Sequence, residues 1–400
     1  MSKPNSFTLI ELVIVIAILA ILAAVIVIVI NPAEYIKSAR DSNRMSDLQN
    51  IHKSIGLYQA DGGATMGFAN KVYVSIPDSS DTCANLGLPT LPTGWSYACA
   101  TEANLRKTDG AGWIPVPFSS ISFGSALSSL PTDPINTTST GEYYTYVTGS
   151  SWELNAILES QRYRFNSKIH KKNLPGVLAV GNNLSLSPIF NTSGLVGYWK
   201  FDEGNGTTAG DSSGYGNTGT LLPSGSEPTW TSGKVGEALS FDGVDDYVGV
   251  SQVLTTEMTA SAWVKLTDFT KTPNMLINAY SHQTLAISPN RDGSGVIYIY
   301  IGNGTEWLCA PCITGSKNMK ENVWHHVIFT SDGTKSILYL DSVNIGSSDY
   351  VPSGFGSYFR IGRGAADITE YLRGLIDEVR IYNRALSAAE VSALYNATNK

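Results

Sequence analysis

The sequence predicts an α+β N-terminal part, made of one long apolar helix and a small antiparallel sheet, followed by an all-β sandwich. Two observations lead to this fold class. Among residues 7–30 only Thr8 and Glu11 are polar, whereas from Gly194 onwards short aliphatic and aromatic runs alternate with turn residues. The chain has 400 residues, of which 42% are hydrophobic and 15% are charged. It is therefore long enough for two or three domains and too apolar to be disordered.

The charge of the chain is unevenly distributed. Residues 1–193 carry 13 basic and 13 acidic side chains, and residues 194–400 carry 14 and 21, so the formal charge of -7 lies in the second half. Nucleic acid is not favoured as a partner, because phosphates are attracted by a positive field. Calcium ions and neutral sugars are compatible with this charge.

The apolar run 7–30 predicts a transmembrane helix. As a helix its 24 residues would extend about 36 Å, enough to cross a hydrocarbon layer of roughly 30 Å. The run is longer than the apolar core of a cleaved secretory signal. Lys3 in the short preceding segment favours a cytoplasmic N-terminus. We therefore expect a single pass through the cytoplasmic membrane, with the remainder of the chain exported.

Glu11 is the unusual residue of this helix. A carboxylate at hydrocarbon depth is costly unless it is neutralised, paired or close to the interface. It stands in the run Ser6-Phe7-Thr8-Leu9-Ile10-Glu11-Leu12-Val13. This run resembles the prepilin-type methylation signature of type IV pilins and pseudopilins.

That resemblance implies a processing and assembly pathway. Residues 1–6 would be a leader, a membrane prepilin peptidase would cut between Ser6 and Phe7, and Phe7 would be N-methylated. Glu11 would then neutralise the Phe7 ammonium of a neighbouring pilin subunit, identical or related, in the core of a filament. A second interpretation places Glu11 at the cytoplasmic edge of the inner membrane, in contact with headgroups and water.

Residues 31–173 are expected to form the globular domain of the pilin-like part. Between positions 33 and 61 apolar side chains recur every three or four residues, which predicts an amphipathic helix that packs on a sheet. The stretches 142–148 and 152–158 predict a β-hairpin of that sheet. Residues 174–193, rich in Asn, Ser and Leu, are expected to be a linker to the second half.

The four cysteines form two local pairs, one in each half, as is typical of proteins exported to an oxidising compartment. A disulfide between Cys83 and Cys99 would close a loop of about 15 residues and stabilise the fold by about 3 kcal/mol. Cys309 and Cys312 have the spacing of a redox motif, but no helix pattern follows them. For this second pair, a structural disulfide and two inert thiols both remain open.

Four stretches of the second half can be compared with known folds. They are GYWKFDEGNGTTAGDSSGYGNTG (197–219), ALSFDGVDDYV (238–248), WHHVIFTSDG (324–333) and GLIDEVRIYNRALSAAEVSALY (374–395). Together they resemble a laminin-G-like jelly roll of the concanavalin A-like lectin and glucanase superfamily, over residues 194–400. Near the end of the chain, Ser387 and Glu390 have the spacing of a capping box, which predicts a closing helix that lies on the sandwich.

Calcium is the candidate ion for this jelly roll, although no cofactor is required. Asp242, Asp245 and Asp246 surround Gly243 at a turn between strands, and hard oxygen ligands on a loop suit Ca²⁺. Related jelly rolls often bind calcium. The alternative is that Asp242 and Asp245 form side-chain-to-backbone turn bonds, with Asp246 solvated.

Catalysis is not expected. A retaining glycosidase needs two carboxyl groups about 5 Å apart, and the adjacent acids Asp377 and Glu378 should point to opposite faces of a strand. His325 and His326 should alternate in the same way, so they do not predict a metal pair. Aromatic side chains in Gly- and Ser-rich segments are candidates either for sugar contact or for core packing. They are Trp230, Trp307, Tyr350, Phe355 and Tyr358.

The sequence thus predicts a type IV pilin-like surface filament subunit that displays a C-terminal lectin-like module for adhesion to a glycan or another cell-surface ligand. One alternative is a pseudopilin of a type II secretion-like apparatus, which subunit stoichiometry would distinguish. Another is a membrane-anchored lectin that does not polymerise, which the mature N-terminus would distinguish.

Overall fold

The computed structural model describes residues 9–30, 32–149, 151–164, 170–171, 174–190, 192–270, 273–279, 284–364 and 370–399. Within these ranges the chain forms three sheets. Sheet 1 lies with two helices in the N-terminal half, and sheets 2 and 3 face each other in the second half. The division near Gly194 that composition predicts is therefore a real change of architecture.

Two consecutive helices begin the described chain: α1 spans Leu9–Ile30 and α2 spans Pro32–Ala60. Pro32 stands at the first position of α2, where its missing N–H costs no helical hydrogen bond. The apolar stripe predicted for α2 is confirmed, since Leu48, Ile51 and Ile55 are fully buried.

The prediction that residues 7–30 form a transmembrane helix is not confirmed. The side chains of α1 are described from Leu9 to Leu19. Among the described residues, no helix combines the length and the apolar character that a membrane crossing needs.

Sheet 1 has six strands in the order β2-β1-β3-β4-β6-β5, with only the β1–β2 pair parallel. The elements of this half are β1 (Lys71–Val74), β2 (Ser96–Ala98), a 3₁₀ turn (Phe118–Ser120), β3 (Thr145–Thr148), β4 (Trp152–Ile157), α3 (Gln161–Arg164), β5 (His170–Lys171) and β6 (Leu174–Gly181). The predicted hairpin is confirmed as β3 and β4, which pair antiparallel from Thr148↔Trp152 onwards.

Strand β6 corrects the linker predicted over 174–193. Residues 177–181 of this strand pair with β4 from Gly181↔Glu153 to Val177↔Ile157, well inside the sheet. Leu178 and Val180 are buried against α2, whereas Val177 is buried on the opposite face. The segment is polar only after Gly181, so its first eight residues behave as a strand with two buried faces and not as a connector.

The second half is a β-sandwich of two eight-stranded sheets. Sheet 2 has the order β10-β11-β22-β13-β18-β19-β20, with β7 also paired to β22, and sheet 3 has the order β17-β16-β15-β14-β21-β12-β9-β8. The strands are β7 (Leu195–Trp199), β8 (Thr208–Ala209), β9 (Gly219–Leu222), β10 (Thr229–Ser232), β11 (Glu237–Asp242), β12 (Tyr247–Ser251), β13 (Glu257–Leu266), β14 (Ile277–Ala279), β15 (Leu285–Pro289), β16 (Val296–Gly302), β17 (Trp307–Asn318), β18 (His325–Asp332), β19 (Ser336–Leu340), β20 (Val343–Ser348), β21 (Tyr358–Ile361) and β22 (Arg373–Tyr382).

Side-chain alternation builds the core between these two sheets. On β13 the inward residues Ala260, Ala262 and Val264 all belong to that core. The residues between them, such as Ser261 and Trp263, are buried as well. The strand is therefore buried on both faces, which means that something covers the outer face of sheet 2.

The cover consists of the closing helix α4, Ala388–Thr398, and sheet 1. The predicted capping box is confirmed: Ser387 Oγ accepts the Glu390 N–H, and the Glu390 carboxylate accepts the Ser387 N–H. One apolar cluster joins three surfaces, namely the second face of sheet 1, the outer face of sheet 2 and α4. Its members include Val72, Val147, Val177, Tyr198, Ile328, Tyr339, Tyr382, Val391 and Leu394.

Two contacts show how closely the halves approach. Arg164 Nη2 donates to the Ala397 carbonyl over 2.6 Å. At Gly176, where φ is +78°, a Cβ would lie only 2.5 Å from that same carbonyl oxygen, so the close contact requires glycine. The order of layers is therefore α2, sheet 1, then α4 with the sandwich.

Candidate functional site

The predicted processing site lies at the start of the chain. Ser6 and Phe7 fall outside the described residues, so cleavage between them stays a prediction. Glu11 lies in the first turn of α1 and is exposed, as are the aliphatic side chains around it, such as Leu9 (81% exposed) and Ile10 (70% exposed). A single chain thus presents an apolar helix surface with one carboxylate near its beginning.

Both cysteine pairs form disulfides. Cys83 and Cys99 have Cα atoms 5.3 Å apart, and Cys83 belongs to the apolar cluster between the halves. Cys309 and Cys312, with Cα atoms 5.0 Å apart, lie on β17 at the edge of sheet 3. The disulfide interpretation of the second pair is therefore the one that the structure contains.

The acidic turn between β11 and β12 brings together the three predicted calcium ligands. One carboxylate oxygen each from Asp242, Asp245 and Asp246 lies within 4.8 Å of the others. Asp242 Oδ1 also accepts the Val244 N–H over 2.7 Å, and Asp246 Oδ2 accepts the Asp242 N–H over 2.7 Å. The Asp242 turn bond of the second interpretation is thus present beside the carboxylate cluster, whereas calcium binding stays a prediction.

Asp246 differs from its neighbours in burial. Its side chain is 5% exposed, whereas Asp242 is exposed. Burial, together with the charges of Asp242 and Asp245, raises the pKa of Asp246 to about 6. A divalent cation would relieve this repulsion, and loop carboxylates supply oxygen ligands of the kind that calcium takes. The residues therefore fit the ion.

The aromatic side chains proposed for sugar contact separate into three groups by burial. Trp230 and Phe355 pack against the sandwich core, and Trp230 Nε1 donates to the Gly206 carbonyl over 3.0 Å. Tyr350 is 49% exposed. Tyr358 and Trp307 are half-buried in sheet 3, and Trp307 makes an edge contact with Tyr300 at 5.9 Å between ring centroids.

Tyr358 belongs to a group that sequence reasoning missed. We call Tyr247, Tyr358, Arg360, Arg363 and Tyr371 the arginine–tyrosine cluster. The Arg360 Cζ lies 5.4 Å from the ring centroid of Tyr247 and 5.5 Å from that of Tyr358. The Arg363 Cζ lies 4.9 Å from Tyr247 and 5.0 Å from Tyr371. The signal was the period of two in β21, where Phe359 and Ile361 face the core and Tyr358 and Arg360 must therefore face outwards.

The two adjacent acids of β22 also depart from expectation. Ile376 and Val379 both face the core, so the two residues between them lie on the same outer face, and Glu378 has a φ of +56°. The prediction that Asp377 and Glu378 point to opposite faces is wrong, because a β-bulge breaks the alternation there.

These acids nevertheless do not line an open cleft. Asp377 and Glu378 are fully buried, and Glu378 is bound by Arg380 and by the Tyr198 hydroxyl at 2.9 Å. Trp263, the register partner of Asp377, donates its Nε1–H to Thr398 of α4 over 2.9 Å. A polysaccharide does not reach carboxylates that lie beneath α4.

The two histidines of β18 hold sheet positions, as expected. His325 Nδ1 lies 2.8 Å from Asp341 Oδ2, and His326 Nε2 lies 2.9 Å from Ser261 Oγ. Burial lowers the pKa of His326 to about 3. The two rings have different partners and do not form a metal pair.

Two segments of the chain match known family models. Residues 1–27 match the family model of the prokaryotic N-terminal methylation motif, and residues 242–392 match that of the concanavalin A-like lectin/glucanases superfamily. Both resemblances drawn from the sequence are confirmed for these segments. The protein therefore combines a type IV pilin-like or pseudopilin motif with a lectin-like β domain.

Three solved structures have more distant similarity to this chain. Domain 4 of an extracellular arabinanase from Geobacillus stearothermophilus, solved in complex with arabinotriose, is 23% identical with a TM-score of 0.42, over 50% of this chain and 98% of that one. The binding domain of Paraclostridial Mosquitocidal Protein 1 is 18% identical with a TM-score of 0.40, over 50% and 52% of the two chains.

Trypanosoma rangeli sialidase is 14% identical with a TM-score of 0.42, over 62% of this chain and 43% of that one. The chain thus spans about half or less of the length of the last two proteins. These similarities are too distant to indicate function. A comparison with curated proteins gives no match.

Proposed function

We propose that this protein is a subunit of a type IV pilin-like surface filament and that its lectin-like domain is a non-enzymatic module for binding glycans or other surface ligands. In this proposal the segment 7–30 first anchors the exported chain in the cytoplasmic membrane by a single pass. Cleavage between Ser6 and Phe7 and methylation of Phe7 then release the subunit for assembly.

One observation carries the proposal: the layer order of the two halves. Helix α2 covers one face of sheet 1, and the sandwich with α4 covers the other face. A subunit that assembles through its N-terminal helices therefore carries the sandwich on the far side of sheet 1. In a filament built around those helices, the lectin-like domain is outermost.

A charged network supports the same geometry by fixing α2 on its sheet. Arg44 is fully buried and donates to Asp133 over 2.6 and 2.9 Å, to Asp41 over 2.8 Å and to Glu159 over 2.5 Å. Asp41 in turn accepts the N–H groups of Glu159 and Ser160. Loss of one partner from such a buried network is costly, because the remaining charges stay unpaired.

Glu11 has the assembly role in this proposal. Its carboxylate pairs with the methylated Phe7 ammonium of an adjacent subunit once the apolar helices bundle, which makes both charges tolerable in an apolar filament core. Subunits paired in the wrong axial register leave both charges without a partner.

Calcium binding at the acidic turn is a second part of the proposal. Asp242, Asp245 and Asp246 would hold the ion, which would neutralise their mutual repulsion and order the turn before Tyr247.

The test begins with the mature N-terminus. We expect mass spectrometry of protein from its native cell to show N-methyl-Phe7, and we expect Glu11→Gln to leave processing intact while it lowers the filament fraction at least tenfold. Glu102→Gln is the matched control, since Glu102 is exposed in a loop of the N-terminal half. Retention of Met1 or Ser2, or normal assembly of the Glu11 variant, would contradict the filament proposal.

Further measurements separate the proposal from its alternatives. A subunit-to-apparatus ratio of a few copies per secretion complex would support a pseudopilin. An unprocessed, strictly monomeric protein would support an anchored lectin. Binding of the full-length protein to a glycan array, with and without a chelator, tests the lectin and calcium parts.

A further inference from the structure

The end of α4 meets the turn between β10 and β11. Lys234, in that turn, donates from Nζ to Oδ1 of Asn399, the C-cap residue of α4, over 2.9 Å and across 165 positions of the sequence. A hydrogen bond of this length places the amine nitrogen roughly 3.5 Å from the amide carbon, which is the approach distance of two reacting groups. A lysine amine and an asparagine carboxamide are therefore held in contact although they are far apart in the chain.

Aromatic rings line this contact. Lys234 Nζ lies 4.7 Å from the ring centroid of Trp263, and Tyr395 of α4 stacks on the same tryptophan with ring centroids 5.7 Å apart. Lys234 is half-buried, and this burial, together with the charge of Arg164, lowers the pKa of its ammonium group. A lower pKa increases the fraction of neutral amine, which is the form that acts as a nucleophile.

A buried carboxyl group adjoins the same turn. Asp377 is fully buried, its Oδ2 accepts the Val235 N–H over 2.8 Å, and it is the register partner of Trp263. At Gly233 a Cβ would lie only 2.6 Å from Asp377 Oδ2, so glycine allows the turn to come this close. Among the described residues, Asp377 Oδ1 has no hydrogen-bond partner. Burial and the charge of Glu378 raise the pKa of Asp377, so this group can take up a proton and return it.

We propose that Lys234 and Asn399 become joined by an intramolecular isopeptide bond. Lys234 Nζ attacks Asn399 Cγ, the Cγ–Nδ2 bond breaks, and Nδ2 departs as ammonia. Asp377 takes the proton from the attacking nitrogen and passes it to the departing one. The overall reaction converts a lysine ammonium and a carboxamide into a secondary amide and an ammonium ion, and it consumes neither oxidant nor reductant.

The bond would fasten the cover of sheet 2 to the edge of that sheet. Strand β10 is the edge strand, and α4 lies over the outer face, so the two elements would stay joined even in the unfolded chain. The bond is independent of filament assembly and of ligand binding. Its absence would therefore leave the proposed function intact.

Mass spectrometry of the full-length protein from its native cell tests the bond. After reduction of the two disulfides, we expect an intact mass about 17 Da below that of the same N-terminal form without the bond, since one ammonia is lost. A digest should contain a branched peptide that joins Lys234 to Asn399. An unchanged mass would overturn the inference and leave an ordinary hydrogen bond at the end of α4. A mass loss without the branched peptide would overturn it too, because a succinimide at Asn399 loses the same ammonia.

Lys234→Arg is the diagnostic variant, since it keeps a cation beside Trp263 and at the C-terminal end of α4 but lacks the primary amine. Its mass should show no loss of ammonia. Lys317→Arg is the matched control, because Lys317 is an exposed lysine of β17, and this variant should keep the full loss. Equal mass losses in the two variants would contradict the bond.

Asp377→Asn tests the proton transfer. The amide oxygen can still accept the Val235 N–H, but the side chain no longer carries a proton, so the bonded fraction soon after synthesis should fall about tenfold or more. A fully bonded Asp377 variant would show that this carboxyl group takes no part. The Lys234→Arg comparison decides the bond itself even where the Asp377 variant does not fold.

Discussion

On the two outer faces of the β-sandwich, arginine and tyrosine side chains differ in their burial and in their contacts. The face of sheet 2 carries Tyr198 and Arg380 beside Glu378, and all three are fully buried beneath α4 and sheet 1. The face of sheet 3 carries Arg360 and Arg363 among tyrosines that keep partial exposure. On the first face arginine and tyrosine bind a buried carboxylate, whereas on the second they stack on one another in cation–π contacts at the surface of the molecule.

The largest expected effect comes from breaking the cover of sheet 2. Leu394 of α4 is 2% exposed and belongs to the shared cluster. We expect Leu394→Ala to lower the free energy of unfolding by about 3 kcal/mol, through lost burial and the cavity left behind. Denaturant unfolding measures this effect.

Val244→Ala serves as the control for this prediction, because Val244 is 64% exposed in the acidic turn. It should change stability by less than about 0.5 kcal/mol. Equal effects of the two variants would show that α4 does not contribute to the cover in solution.

A smaller effect concerns the start of α4. Ser387→Ala removes the side chain that accepts the Glu390 N–H, and we expect a loss of about 1 kcal/mol in unfolding free energy. Ser387→Gly should cost only a few tenths of a kcal/mol, since glycine is itself tolerated at a helix N-cap. If both variants were as stable as the parent, the cap would not fix α4 on sheet 2.

The smallest effect tests the acidic turn beside the open face. The pKa of Asp246 is raised to about 6 by burial and by its two acidic neighbours, compared with about 3.9 in an unfolded chain. Between these values the folded state binds the proton more readily, so the Asp246 contribution to stability rises as pH falls through 6. We expect the parent to gain less than about 1 kcal/mol relative to Asp246→Asn between pH 7.5 and 5.

Calcium provides a second test of the pH dependence attributed to Asp246. Saturating calcium should hold the Asp246 carboxylate ionised and remove the relative gain, since metal binding and protonation compete for the same oxygens. An unchanged pH dependence in the presence of calcium would contradict the ion site. Thermal unfolding of parent and variant, each with calcium or chelator, supplies all four curves.

Local patterns in the sequence predicted local structure well. The spacing of apolar residues in α2, the strands of the 145–157 hairpin and the Ser387 cap were all evident, because each depends on residues close together in the chain. The cysteine pairs were similarly local. Strand β6 was missed because its polar surroundings resemble a linker, and only the second half of the chain explains why both of its faces are apolar.

Among the candidate sites, too, only the one that is local in sequence was predicted. The acidic turn is contiguous in sequence and was found, whereas the arginine–tyrosine cluster joins Tyr247 of β12 to residues more than 100 positions later. The bulge at Glu378 breaks the period of two on which the facing of Asp377 was predicted. Such departures arise from pairing between strands, which the pattern of one strand does not contain.

The apolar cluster between the halves also has a mechanical consequence. Any load applied to the sandwich passes through α4 and the Arg164–Ala397 hydrogen bond into sheet 1. Because this joint is broad, the load is shared by many side chains and is not concentrated on residues 182–194. Force on the lectin-like domain would therefore reach sheet 1 and α2 with little extension of the connecting segment.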